Sequence, residues 1–296
     1  MTRVDTKAWL AGVFDRAAPT YDKVAGAYHD HFGERLVELA GVRPGDAVLD
    51  VACGRGAVLV PAAARVGPTG RAVGVDLSPE MVRLARERVD IAGVAAELRV
   101  MDAEHLDVPD ASFAAVLCGF GIFFLPDAER ALAGFHRALV PRGTLGVSTW
   151  GADDARWAWE DELLADVVVE RRAMQRPFDR PDDLDALLRG AGFDEVVVRT
   201  EQHDVQLADA DEWWAWKWSY SLRGILEQLP QPQLERLRAD AAERIAAMAD
   251  DGGLRLRLEA LLATGRVTDS RVAEPVVQRE RPGSAGGGVS RFAAGI

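Results

Sequence analysis

The chain has 296 residues, 48% apolar, and a formal net charge of −12, which is enough apolar matter for one large α/β domain or two small ones. Its acidic body lacks a basic stripe, so a phosphate backbone is excluded as a partner and no nucleic acid is expected. No apolar run reaches the roughly 18–20 residues of a membrane span and the N-terminus lacks a secretory apolar region, so the expectation is a cytoplasmic protein with no membrane partner.

In chain order, a helical stretch over residues 1–40 precedes Ala47–Val51 (AVLDV), which reads as a buried strand. Ala57–Val66 is predicted helical up to the turn Gly67-Pro68-Thr69-Gly70. Arg71–Asp76 is the second strand, and Ser78-Pro79-Glu80 caps a helix running to Gly93. Glu97–Asp102, Phe113–Gly119 and Thr144–Thr149 continue the strands, with a helix over Ala128–Leu139 and a turn at Pro141-Arg142-Gly143. This βα alternation predicts a doubly wound parallel sheet. Beyond Trp150 come helices over Ala155–Arg172 and Asp182–Ala191, then a strand from Asp194 to Thr200 that can run on to Leu207. A helical, Trp-rich insertion over 209–250 follows, and Leu254–Leu262 favours a closing strand over a helix. Residues 266–296 hold few large apolar side chains and three successive glycines, so a disordered tail is expected.

Chemistry concentrates at strand ends. After Asp50 the chain turns through Ala52, Cys53, Gly54 and Gly56 (LDVACGRG), small residues that let backbone N–H groups approach a ligand. A dinucleotide fingerprint laid on Gly54 and Gly56 puts its third small position on Leu59, and an acidic residue precedes the loop, so that reading fits poorly. One βα unit later Asp76 ends the second strand in Gly74-Val75-Asp76-Leu77-Ser78, where a carboxylate can accept from both hydroxyls of a ribose. Met101-Asp102-Ala103-Glu104 follows the third strand, and Leu117-Cys118-Gly119-Phe120-Gly121 ends the fourth.

These four pieces, in this order, resemble the class I S-adenosylmethionine-dependent methyltransferases. The segment Phe14-Asp15-Arg16-Ala17-Ala18-Pro19-Thr20-Tyr21-Asp22 is similar to the opening of the quinone-biosynthesis C-methyltransferase and natural-product methyltransferase group. The resemblance spans Phe14 to Arg266 and implies an α/β, Rossmann-like, mostly parallel seven-stranded sheet over 1–265, with an N-terminal helical cover and a helical lid. It implies S-adenosyl-L-methionine as cofactor. Asp50 would orient the loop and the methionyl ammonium, and Ala52 stands where the family has its first glycine. Asp76 would hold the ribose, and Asp102, beside Ala103, would accept from the adenine amino group with Met101 and Leu77 flanking the ring. Cys118, Gly119 and Phe120 would run beside the methionyl part, and Tyr21 would touch the cofactor from the cover.

The expected acceptor contacts are Phe14, Tyr28, Trp150, Trp214 and Trp218, with Trp150 at the mouth of the sheet. Trp213, Trp214, Trp216 and Trp218 cannot share one helical face, so some pack inward. If the acceptor is a hydroxyl, a histidine suits its proton. His29 and His31 lie in the cover, and only one readily faces the site; His31 is the preferred base. His203 reads as a loop residue, His105 as a neighbour of the adenine edge and His136 as a helix-surface residue. The two cysteines, Cys53 and Cys118, show no zinc or disulfide spacing and read as free thiols. No metal site is expected. The expected activity is methyl transfer to a small-molecule acceptor, a bulky specialised metabolite, at oxygen. The alternatives are a peptide or protein carboxyl methyltransferase and a cofactor-binding protein that no longer methylates, serving as a cyclase helper or sensor.

Overall fold

Strand β1 (Ala47–Val51) is buried along nearly its whole length, as a strand covered on both faces must be. In the computed structural model, which describes residues 3–23, 28–165, 178–248 and 253–268, it pairs in parallel with β2 (Arg71–Asp76) and β4 (Phe113–Gly119). β3 (Glu97–Val100), β5 (Leu139–Trp150), β6 (Phe193–Leu207) and the antiparallel β7 (Leu254–Val267) complete the order β3-β2-β1-β4-β5-β7-β6. Strand succession reverses between β1 and β4, which opens a crevice at the C-terminal edge of the sheet. The seven-stranded, mostly parallel sheet is the expected one.

Side chains alternate between two apolar layers. Val48, Ala115 and Leu117 face a core shared with α2 (Tyr28–Leu39) and α3 (Leu59–Val66). Leu49, Val51 and Val116 face the other, shared with α5 (Ala128–Ala138) and α7 (Pro181–Gly190). Helix α4 (Pro79–Ala92) starts as read from sequence, because the Ser78 hydroxyl accepts from the Met81 N–H at 3.0 Å and Pro79 needs no partner. It stops at Gly93, which takes the left-handed conformation. Helix α1 (Arg3–Ala17) packs across α4, and α2 lies close over the loop after β1. Gly33 makes that approach possible: a Cβ there would sit 2.2 Å from the Ala57 carbonyl oxygen.

β6 and β7 run on together past the end of β5, from Gln202 opposite Glu259 to Leu207 opposite Leu254. This arm extends beyond the C-terminal edge of the sheet and carries the inserted helices α8 (Ala210–Lys217), α9 (Arg223–Leu226) and α10 (Gln231–Met248).

The structure and the sequence reading differ most at four boundaries. Helix α3 begins at Leu59, because the preceding residues stay in the turn that follows Asp50. The turn at Pro141-Arg142-Gly143 is absorbed into β5 as an irregularity, with Phe113 opposite Leu139 and Ala115 opposite Thr144. The helix expected over Ala155–Arg172 is a short turn followed by α6 (Trp159–Ala165), and residues 166–177 lie outside the described residues. The tail was to begin at 266, but Arg266 and Val267 continue β7 opposite Asp194 and Phe193; residues 269–296 lie outside the described residues.

Candidate active site

The crevice at the ends of β1, β2 and β4 holds two adjoining cavities, a larger and a smaller, which share Tyr21, Ala52, Gly54, Gly119 and Phe120 on their walls. The larger runs from Asp76 and Leu77 past Met101, Asp102 and Ala103, and is closed above by Phe14 of α1 and by Phe124. The smaller runs from Asp50 and Cys53 to His29, Arg55 and Ser148.

Asp76 is built into the loops around it. One carboxylate oxygen accepts from the Gly54 N–H at 2.8 Å and the other from the Ser78 N–H at 2.9 Å. Burial raises its pKa and these backbone donors pull it back. Each oxygen keeps a lone pair for a further donor.

Asp50 is the opposite case. It is 1% exposed, and neither of its oxygens has a hydrogen-bond partner among the described residues. Burial, reinforced by the Asp76 charge, pushes its pKa well above the usual carboxylate range; the Leu59 N–H offsets this in part without completing a hydrogen bond. A cationic donor is what this position lacks.

The loop after β1 turns sharply at Ala52, whose φ is +55°, and then through Gly54 and Gly56 at +53° and +88°. Across the crevice Phe120 also takes a positive φ, +52°, and its N–H donates to the Ser148 hydroxyl at 3.1 Å. Left-handed backbone at a non-glycine residue is strained, and here two such residues face one cavity. Behind Phe120, Trp150 stacks on its ring with centroids 4.2 Å apart.

The N-terminal cover reaches both cavities. Lys7 pairs with Asp102 at 2.7 Å and Glu104 at 2.6 Å. Burial opposes charge on both Lys7 and Asp102, and pairing outweighs it, so Lys7 is pushed up and Asp102 down. Asp102 also accepts from the Glu104 N–H at 3.0 Å and lies 2.8 Å from His105 Nδ1, so it is far less free than its sequence position implies. Asp15 accepts from the Ser78 hydroxyl, tying α1 to the start of α4. Asp22 pairs with Arg55 of the glycine-bearing loop and with Arg88 at 3.1 Å.

Of the residues singled out from sequence, Phe14, Tyr21, Asp50, Ala52, Cys53, Gly54, Asp76, Leu77, Met101, Asp102, Ala103, Gly119 and Phe120 line the two cavities. Gly56 closes the turn behind them, its N–H donating to the Cys53 carbonyl at 2.8 Å. Cys118 is buried in the core on the far face of the sheet. Phe14 belongs to the larger cavity beside Met81 and Phe124, not to the acceptor mouth. Tyr28 and Trp150 stand one layer behind the wall, packed on His29 and Phe120. Trp214 and Trp218 pack on Leu222, Leu226 and Leu237 inside the lid. The opposite face of α8 turns inward: Trp213 is buried and Trp216 donates to the Tyr28 hydroxyl at 3.3 Å.

His31, the base expected from sequence, does not line either cavity. His31 lies 3.0 Å from Glu201 and stacks on His203, away from both cavities, whereas His29 is 7% exposed and lines the smaller one. The helix period explains the difference. His29 shares the face of Phe32, Gly33 and Leu36, which are buried, while His31 shares the face of Arg35 and Glu38. Lys7, Asp15 and Ser148 were also missed, because no local pattern marks them. Among the described residues, no cluster of three His, Cys, Asp or Glu side chains is arranged to hold a metal, and no helix is long and apolar enough to cross a membrane.

The family described as methyltransferase domain matches residues 48–143. The nocamycin O-methyltransferase of Saccharothrix syringae is 30% identical over 272 residues, which is 86% of this chain and 97% of that protein. A ubiquinone/menaquinone biosynthesis C-methyltransferase of Hydrogenovibrio crunogenus is 37% identical over 144 residues, 47% of this chain and 57% of that protein. Among solved structures, the YcgJ protein of Bacillus subtilis matches with a TM-score of 0.56 at 20% identity, over 81% of this chain and 99% of that one, a likeness of fold.

Proposed function

The chain belongs to the S-adenosylmethionine-dependent methyltransferases, and on that premise we propose that it transfers the methyl group to an oxygen of a bulky small-molecule acceptor. S-adenosylmethionine, when bound, supplies a methyl group already activated on a sulfonium. The protein's task is then to hold the acceptor in line and keep water out.

The residues of the crevice fit that donor. Asp50, buried without a partner, suits the methionyl ammonium, and the free lone pairs of Asp76 suit the two ribose hydroxyls. Leu77, Met81, Met101, Phe124 and Leu125 make an apolar slot for the adenine ring beside Asp102. Tyr21, on the wall of both cavities, would cover the cofactor where they meet.

The observation that carries the acceptor reading is the set of aromatic rings gathered at the smaller cavity. The smaller cavity is roofed by Tyr21 and His29 and walled by Phe120, with Trp150 and Tyr28 packed behind. An aromatic chamber of this kind suits a bulky ring system better than an extended peptide, which needs an open groove. A relative that aligns over nearly its whole length is named for transfer to oxygen.

The test is a transfer assay with methyl-labelled S-adenosylmethionine and panels of phenolic, alcoholic, carboxylic and amine acceptors, with short peptides alongside. Mass spectrometry then locates the label. The expected product carries it as an ether or ester on a small molecule. A label on carbon or nitrogen, or on peptides only, from a preparation that binds the cofactor, overturns the reading.

A further inference from the structure

We infer that His29 is the group that takes the proton of the acceptor hydroxyl, and that Tyr21 fixes the imidazole in the tautomer this requires. The inference rests on the oxygen-transfer reading above and adds to it the residue that handles the proton.

Three features of His29 carry it. The first is place, because His29 lines the smaller cavity together with Asp50, Gly54, Phe120 and Ser148, where the acceptor must meet the methyl group. The second is rigidity. Its ring lies between Tyr21 at 4.7 Å and Tyr28 at 4.1 Å, with the edges of Phe120 and Trp150 at 5.7 and 6.4 Å. A ring packed against four aromatic neighbours is restrained in orientation.

The third is an unmet hydrogen bond. Nε2 lies 3.1 Å from the Tyr21 hydroxyl, whereas Nδ1 is buried with no partner among the described residues. An orphaned ring nitrogen destabilises the free protein by about 1–3 kcal/mol. A phenylalanine would serve the packing without that penalty, so packing alone does not account for a histidine here. When Nε2–H donates to the Tyr21 oxygen, Nδ1 keeps its lone pair for an incoming O–H. In the other tautomer the cavity would hold a buried N–H with no acceptor. Burial, helped by the Arg88 guanidinium, lowers the His29 pKa to about 3, so the ring is neutral and able to accept at physiological pH.

The proton of the acceptor O–H passes to Nδ1 while an oxygen lone pair forms the new bond to the methyl carbon and the C–S bonding pair returns to sulfur. One positive charge leaves the sulfonium and one appears on the imidazole, in the cavity that Asp50 also lines. The net charge of the buried chamber is therefore unchanged, which is what makes a weakly basic buried imidazole adequate.

The test combines kinetics with two measurements that need no turnover. In the His29→Gln protein, single-turnover transfer to a hydroxyl acceptor should fall about 10²–10³-fold, while S-adenosylhomocysteine affinity by calorimetry stays within about threefold. The rate in that variant should rise about tenfold per pH unit as the acceptor itself ionises, where the wild-type rate is flat. Nitrogen-15 NMR of the free wild-type protein should show His29 protonated at Nε2 and bare at Nδ1. A variant that keeps more than a third of the rate, a rate loss with no pH dependence, or an Nδ1–H tautomer overturns the assignment. A wild-type product methylated on carbon or nitrogen overturns both this and the oxygen reading, whereas an oxygen product with an unaffected variant overturns only the role of His29.

Discussion

Asp76 and Asp50 end neighbouring parallel strands, yet the first accepts from two backbone N–H groups at 2.8 and 2.9 Å and the second accepts from none among the described residues. The same division extends to what surrounds them. Around Asp76 the loops are mutually satisfied, with Ser78 capping α4 and Asp15 bracing Ser78 from the cover. Around Asp50 the chamber contains a second buried orphan, Nδ1 of His29. One end of the crevice is therefore held in shape by its own hydrogen bonds. The other retains polar atoms whose partners must come with the ligands, at a penalty of about 1–3 kcal/mol for each orphan.

The largest expected effect separates the two carboxylates. Asp76→Ala should weaken S-adenosylmethionine binding by about 100-fold or more and also lower the melting temperature, because it removes the proposed ribose contact and two loop anchors together. Asp50→Asn should weaken binding by about 10–100-fold but stabilise the free protein. The sign follows from linkage. A carboxyl whose pKa is raised by folding contributes most below its ordinary value near 4, and that contribution is lost as pH rises towards the raised value. The advantage of Asp50→Asn should therefore grow from acid towards neutral pH. Calorimetric titration and melting curves at several pH values decide it; an Asp50→Asn protein less stable than wild type at neutral pH would erase the contrast.

His29 supplies a counter-slope of intermediate size. Its folded pKa of about 3 lies below the ordinary histidine value near 6.5, so folding excludes the proton. Above about pH 6.5 it imposes no protonation penalty, and between there and pH 3 stability is lost at about 1.4 kcal/mol per unit. His29→Gln lacks that slope, so its stability relative to wild type should improve steadily on acidification. Tyr21 and Tyr28 stay neutral throughout, while Asp22 and Asp50 titrate in both proteins. Denaturant melts at about pH 7, 5.5 and 4.5 measure the difference, and parallel lines for the two proteins would show that His29 is not buried neutral.

The carboxylates at the strand ends were legible because their determinants are local. Asp50, Asp76 and Asp102 each follow a strand pattern of a few residues, and the glycine-bearing loop sits between the first strand and helix. The acceptor end depends on contacts distant in sequence. His29 meets Tyr21 across a short gap but Phe120 and Trp150 across most of the domain. Its choice over His31 was nonetheless readable, since His29, Phe32, Gly33 and Leu36 repeat at the spacing of one helical face. The tryptophans of α8 misled for a related reason. An aromatic-rich helix announces burial but not against what, and Trp214 and Trp218 turn to the lid's own leucines. Lys7 was invisible because an exposed-looking lysine near the N-terminus gives no hint of the Asp102 and Glu104 pair 95 and more residues away.

The smallest expected effect lies at the joint between the two ends, where Ala52 holds a φ of +55°. Left-handed backbone costs alanine about 1–2 kcal/mol and glycine almost nothing, while glycine loses about 0.5–1 kcal/mol more entropy on folding. Ala52→Gly should thus stabilise the protein by no more than about 1 kcal/mol. The Ala52 methyl also limits its neighbour, because a Cβ on Gly121 would lie 2.7 Å from the Ala52 Cβ and 2.8 Å from the Cys118 sulfur. Gly121 has an ordinary negative φ of −104°, so Gly121→Ala is opposed by space alone and should destabilise by about 1–3 kcal/mol. Removing the Ala52 methyl frees one of those two contacts. In a double-mutant cycle the penalty of Gly121→Ala should shrink in the Ala52→Gly background by a measurable fraction, about 0.5–1 kcal/mol. Additive behaviour would place the resistance at Cys118 and would detach the strain at Ala52 from the closeness of the two loops.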